Sequence, residues 1–213
     1  MTAWSTVTWE DLVAAAGAFG AGGDAAYLRC YALLRADRSM LERAEHSGEL
    51  VRFLNSWAAR LDRAKAPAAF GAWIRGHADE LELLDATALT DPAMPRHAQA
   101  VDELYESLMG LRSVLRNMSD AAASKALHQL LPGLVVMWDR TIKQWAIAQG
   151  CASYGAYLVA MHELATRLLG EIGMGLAEAE LQLQERLAYP ARKPLTQTLD
   201  EANVHWASAA RTV

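Results

Sequence analysis

Ser124-Lys-Ala-Leu-His128-Gln-Leu-Leu131-Pro132-Gly133-Leu134-Val-Val-Met-Trp138-Asp139-Arg-Thr-Ile142 is the stretch on which the reading of this chain turns. It opens with good helix formers and is stopped by Pro132-Gly133, because proline removes a backbone donor and clashes with the preceding turn. A short apolar run follows, Leu134 to Trp138. Asp139 then stands where a new helix begins, its carboxylate suited to the free N–H groups of a first turn. Just upstream, Asn117-Met-Ser-Asp120 reads as a turn and N-cap, which predicts a short helix from about 121 to 131.

The same punctuation extends outward. Val101, Leu104, Leu108, Leu111 and Leu115 give a helical period over 97–117, preceded by the break Asp91-Pro-Ala-Met-Pro95. From Ser39, Leu41, Leu50, Leu54, Trp57 and Leu61 predict a helix ending before Pro67, and Phe70, Trp73, Ile74, Leu81 and Leu84 predict another over about 68–86. Thr8-Trp-Glu-Asp11 and Ser39-Met-Leu-Glu42 have the hydroxyl-then-acid spacing of a capping box, the second after a break at Asp37/Arg38. Downstream, Gly150 closes the helix begun near Asp139 and Ser153 starts the next. Gly170, Gly173 and Gly175 predict a bend or a new start, and a last helix covers about 197–210. Composition agrees: 42 Ala and 30 Leu stand against 14 Val plus Ile, favouring helix over strand. The expectation is an all-α, compact multi-helix protein of nine or ten helices. Its sequence pattern divides into an N-terminal helical segment 1–36, a helical core 37–190 and a C-terminal helix or tail 191–213.

The net charge of −5 argues against a non-specific nucleic-acid coat, which needs a cationic field. The average conceals local contrast. Residues 29–65 carry eight Lys/Arg against five Asp/Glu, residues 75–106 two against eight, and residues 111–145 five against two. Either these are solvated helix faces, or the two positive segments converge on one anionic ligand. Cys30 and Cys151 have no C-x-x-C or Cys/His context, so buried free thiols in a reducing compartment are expected. Trp4, Trp9, Glu10 and Asp11 interrupt any apolar N-terminal run, and no apolar stretch reaches the ~20 residues of a spanning helix. The chain reads as cytoplasmic and without a membrane partner.

Phosphate-loop, dinucleotide and nucleophile-elbow motifs are absent. The histidines occur singly, and in His162-Glu163 the second zinc-ligand position is Thr166. No metal and no cofactor are expected. Trp138 and Trp145, seven apart around Ile142, fit a packed core stripe.

The segment Ser124-Lys125…His128…Pro132…Trp138-Asp139…Ile142, together with Phe53-Leu-Asn-Ser-Trp57-Ala-Ala-Arg60, resembles the helix-hairpin-helix DNA glycosylase superfamily. It is most similar to small bacterial members with an 8-oxoguanine glycosylase-like fold, over about residues 50–170. The resemblance implies a glycosylase-like segment at 111–145 that engages DNA or a nucleotide. It makes Asp139 the catalytic carboxylate, a fixed negative charge beside the sugar C1′ of a flipped nucleotide. It implies phosphate contacts at the hairpin, for which Arg112, Arg116, Ser124, Lys125 and Arg140 are the candidates. Asn55, His128 and Trp138 are candidates for the pocket. The hairpin glycines of the superfamily are replaced here by Asn117-Met-Ser-Asp120. The lysine nucleophile of bifunctional members falls at Ala121, whereas Lys125 lies 14 residues before Asp139. The implied activity is therefore a monofunctional N-glycosylase, hydrolytic and without a lyase step.

Each residue also has a plainer account. Asp139 can cap its helix and pair with Lys143 at i,i+4. Lys125 can be a surface or packing cation, His128 can be a core hydrogen-bonding group, and Asn55 and Arg60 can belong to a buried network. The alternative function is a non-catalytic helical interaction protein with a protein partner, which kept the scaffold and lost the chemistry.

Overall fold

The computed structural model describes residues 3–19, 25–37 and 39–210. Twelve α-helices are present among them and no strand. They are α1 (Trp9–Phe19), α2 (Ala25–Ala36), α3 (Met40–Glu45), α4 (Ser47–Ser56), α5 (Ala66–Gly76), α6 (Ala78–Asp85), α7 (Met94–Met109), α8 (Asp120–Leu130), α9 (Arg140–Ala148), α10 (Tyr154–Ile172), α11 (Leu176–Arg186) and α12 (Leu195–Ala209). Short 3-10 turns span Ala3–Thr6 and Gly110–Ser113.

The caps that start helices are where the hydroxyls and Asp139 foretold them. Thr8 and Asp11 exchange the bonds of a capping box, as do Ser39 and Glu42. Ser119, Asp139 and Ser153 cap α8, α9 and α10. Gly150 takes φ +97° after α9 and Gly173 takes φ +65° after α10, a backbone that glycine adopts without steric cost. Gly170 stays inside α10. Arg38 of the expected break lies outside the described residues.

Three expected helices are interrupted or shorter. The one from Ser39 divides at His46 into α3 and α4 and stops at Ser56. Trp57 keeps the apolar period but is 40% exposed, and Leu61 reaches the core from a loop. The helix over 68–86 divides at His77, whose Nδ1–H donates to the Trp73 carbonyl (2.9 Å) and so ends α5 from its own side chain. The helix over 97–117 ends at Met109, because Arg112 Nε donates to the Met118 carbonyl (2.7 Å) and closes a turn.

One buried apolar core runs from Trp4 to Ala207, across the sequence divisions at 36/37 and 190/191. The most extensive helix pairing described is α1 on α12, followed by α7 on α10. In the second pair Gly155 is required, since a Cβ there would meet the Ala98 carbonyl oxygen at 2.6 Å. Arg43, almost fully buried, donates to the Leu130 carbonyl (2.9 Å) and pairs with Asp85 (2.8 Å), tying α3 to α6 and α8. Among the described residues, no helix is long and apolar enough to cross a membrane.

Candidate functional site

The segment from Leu131 to Trp138 forms no regular element, yet only Gly133 in it is exposed. Buried backbone without a ladder needs other partners. Side chains supply them. Thr196 Oγ1 donates to the Pro132 carbonyl (2.5 Å), and His128 Nδ1–H to that of Val135 (2.6 Å). The Tyr154 hydroxyl donates to Val136 O (2.8 Å), the Tyr157 hydroxyl to Met137 O (3.1 Å), and Ser124 Oγ to Trp138 O (2.6 Å). Ser124 Oγ also accepts from Trp138 N (3.2 Å). The run is a strut, and it delivers Asp139 to the start of α9. There Asp139 Oδ1 accepts from Thr141 N (2.7 Å) and Ile142 N (2.9 Å).

This arrangement redistributes the candidate residues. Ser124 is fully buried with its hydroxyl occupied by the Trp138 backbone, so it holds the strut and cannot reach a phosphate. His128 is also fully buried. A carbonyl accepts at Nδ1, so the proton sits there, and Nε2 accepts from the Tyr27 hydroxyl (2.9 Å). Burial lowers its pKa to about 4, and it stays neutral. Trp138 is core, 2% exposed, packed against Tyr105, Tyr154 and Tyr157. Asn55 grips the backbone of Leu61 from both sides, accepting from its N–H (2.6 Å) and donating to its carbonyl (3.1 Å). Lys143 pairs with Asp120 rather than with Asp139.

Asp120, at the end of the 117–120 turn, is well neutralised. Its partners are Lys143, the Tyr105 hydroxyl (2.6 Å) and, at 3.7 Å, Arg112. Burial pushes its pKa up, but the bonds from Lys143 and Tyr105 outweigh that and leave it below the usual carboxylate value. Its negative charge is therefore spent inside the protein.

Three exposed cations come together. Arg60, Lys65 and Arg116 line one cleft of about 240 Å³ with Leu61, Asp62, Val114, Leu115 and Asn117. Asn117 Nδ2 joins its two walls by donating to the Arg60 carbonyl (2.7 Å). The segments 29–65 and 111–145, both positive in sequence, thus meet at this point. The 57–61 loop bears two non-glycine residues in left-handed backbone, Ala58 (φ 60°) and Arg60 (φ 53°). Such geometry is strained and persists where surrounding bonds fix it. Next along the same two segments lies a smaller recess of about 80 Å³, lined by Leu54, Trp57, Ala58, Ala59, Ser119, Ala121, Ala122 and Lys125. Lys125 Nζ sits 4.4 Å from the centroid of the Trp57 ring. Arg140 is exposed on the first turn of α9.

One residue of this region had no signal in the sequence. Asp200 of α12 is 4% exposed, and burial raises its pKa to about 7, with Lys125 opposing the rise and Glu201 and Asp139 adding to it. The first half of α12 is buried on every side, although it carries Thr196, Gln197, Thr198, Asp200, Glu201 and Asn203. Nothing in its polar spelling foretells that burial. Trp57, Arg60 and Asn117 were visible as motif or turn residues, but only the folded chain sets them side by side.

His162 Nδ1–H donates to the Leu89 carbonyl (2.7 Å), and no cluster that could hold a metal exists among the described residues. Cys30 and Cys151 are buried free thiols, and burial pushes Cys30 up to about 12, where it is unreactive. The chain matches no family model, no curated protein and no solved structure.

Proposed function

We propose that this chain engages DNA or a nucleotide through a glycosylase-like helical scaffold and acts as a monofunctional base-excision N-glycosylase with Asp139 as its catalytic carboxylate. The observation that carries this reading is the meeting of Arg60, Lys65 and Arg116 in one cleft formed with residues 114–117, while the neighbouring stretches of the same two segments line the recess of Trp57 and Lys125. A phosphate needs such a cationic cradle, and an unstacked base needs an aromatic or apolar recess beyond it. Neutralisation of Asp120 by Lys143 and Arg112 removes the charge that would otherwise repel the phosphate. Asp139 is pinned by two backbone donors through Oδ1, while Oδ2 takes no hydrogen bond among the described residues. A fixed carboxylate of this kind stabilises positive charge that develops only as the glycosidic bond opens. In that reaction the C1′–N bond breaks with its electron pair going to the base. Water adds at C1′, and a proton passes from the water to the departing nitrogen. Lys125, whose ammonium is over Trp57, is not assigned a covalent role.

The test is a panel of duplexes containing 8-oxoguanine, uracil or alkylated bases, read for abasic product and for binding at several salt concentrations. The reading expects product on at least one duplex and its loss in Asp139→Asn. Arg116→Ala weakens binding without regard to base sequence and reduces the salt slope by about one. No product and no salt-dependent binding would sink the proposal. If binding of a protein partner instead survives Asp139→Asn unchanged, the chain is the non-catalytic interaction protein.

A further inference from the structure

Gly48, Val51, Arg52 and Asn55 stand at i, i+3, i+4 and i+7 of α4, so they share one face of the helix. With Arg63 of the following loop and Pro67 in the first turn of α5, they line a cleft of about 390 Å³. No acidic side chain lines it. Arg52 is paired with Glu49 on its own helix, whereas Arg63 is exposed and forms no ion pair among the described residues. This cleft shares a wall with the cleft of Arg60, Lys65 and Arg116. Asn55 lines the first and holds both backbone groups of Leu61, which lines the second. Arg63 is two residues from Leu61 and two from Lys65, so at most about 7 Å of extended chain separates it from either. Asp62 Oδ1 accepts from Ala64 N (2.9 Å) and Lys65 N (3.3 Å), which closes residues 62–65 into a turn. In the second cleft Asp62 is one carboxylate against three cations. A single turn of chain thus carries Arg63 to the α4 cleft and Arg60 and Lys65 to the cleft of Arg116.

We propose that the α4 cleft is a second phosphate site, and that the ligand is a polynucleotide strand whose consecutive phosphates sit on either side of the 61–65 turn. This rests on the DNA-engaging reading above and narrows it, because a mononucleotide brings phosphate to only one of the two clefts. Arg63 offers a planar fork of N–H donors that matches two phosphate oxygens, and no neighbouring carboxylate competes for it. The width of the turn is comparable to the reach between neighbouring phosphates of one strand. Once one phosphate is seated at Arg116, the covalent backbone therefore delivers the next to Arg63 at high effective concentration. A free phosphate ester has the same chemistry without that link. Phosphate contacts of this kind fix the position of the strand and carry no base preference.

The experiment compares the thymidine oligomers TpT and TpTpT, which carry one phosphate and two. The wild-type protein binds TpTpT roughly tenfold more tightly than TpT, the effect of one added charge-assisted contact. Arg63→Ala, at an exposed and unpaired position, keeps the fold and removes this step. Gly48→Glu removes it as well, since a Cβ at Gly48 meets nothing within 4 Å and the new carboxylate enters the cleft. The Nε–H signal of Arg63 in NMR separates the two sources of phosphate: it moves with TpTpT and stays in place with inorganic phosphate at the same concentration. A signal that moves equally with both makes the cleft a free-anion site and overturns the inference. A wild-type protein without the step, or a step that survives Arg63→Ala, overturns it too. If Arg116→Ala weakens TpT in the same series, the glycosylase reading still stands; binding of neither oligomer overturns both.

Discussion

The 131–138 strut and the 57–61 loop are both irregular backbone tied down by side chains, but one is dry and the other faces water. In the strut, buried hydroxyls and an imidazole satisfy the carbonyls of Pro132 and of Val135 to Trp138, and no residue of the run takes left-handed backbone. In the loop, Asn55 and Asn117 hold two adjacent residues, Arg60 and Leu61, while Ala58 and Arg60 sit in left-handed backbone. The strut fixes the position of one carboxylate from within. The loop holds one exposed cation, Arg60, and the Trp57 ring at the surface, and its strain is tolerated because the bonds of the two asparagines over-determine it. Rigidity at Asp139 and presentation at Arg60 are thus produced by the same device at different depths.

The largest expected effect separates two buried titratable groups on the dry side. Asp200 is raised from 3.8 to about 7, so its contribution to stability is whole below pH 3.8 and is lost as pH rises through 7. His128 is lowered from 6.5 to about 4, so its contribution is whole above pH 6.5 and is lost as pH falls through 4. Between pH 4 and 6.5 the two slopes oppose each other. Asp200→Asn removes one of them. Relative to the wild type, the variant gains about 4 kcal/mol of unfolding free energy between pH 4 and pH 8, read by urea titration at each pH. Parallel curves for the two proteins would show that Asp200 ionises normally in the fold.

The next effect breaks the strut itself. His128→Ala leaves the Val135 carbonyl and the Tyr27 hydroxyl without their partner and opens a cavity, so it should cost about 3 kcal/mol at pH 7. Equilibrium denaturation measures this, and a loss below about 1 kcal/mol would mean that water replaces the imidazole. The smallest effect concerns the wet side. Ala58→Gly relieves left-handed backbone at the cost of unfolded-state entropy, and should raise stability by about 0.5 kcal/mol. A clear loss in thermal unfolding would show that the loop is not strained at that position.

The comparison also marks what could be read from residues in order. Ser119, Asp139 and Ser153 were legible as caps because capping is local: the acceptor and the amides it serves lie within three residues. Gly150 and Gly173 were legible for the same reason. Trp57 and Leu61 misled, because an apolar residue can keep the helical period from outside a helix: Trp57 is exposed there, and Leu61 reaches the core from the loop. Ser124 and His128 stood out in the motif, but their partners, Trp138 and Val135, lie 14 and seven residues away across a Pro-Gly turn. Lone spelling cannot tell a hydroxyl that binds a phosphate from one that binds a carbonyl.

Alanine and leucine enrichment, hydroxyl and acid caps and Pro/Gly stops determined that this chain is all-α and where most of its helices begin, because helix formation is governed by neighbours within one turn. Tertiary structure alone decided which charged residues face each other. It joined Arg60 to Arg116 across 56 positions of sequence, spent Lys143 on Asp120 rather than Asp139, and buried Asp200 in the polar first half of α12. Charge and burial depend on distance through space and on excluded water, and neither quantity is written in the order of residues along the chain.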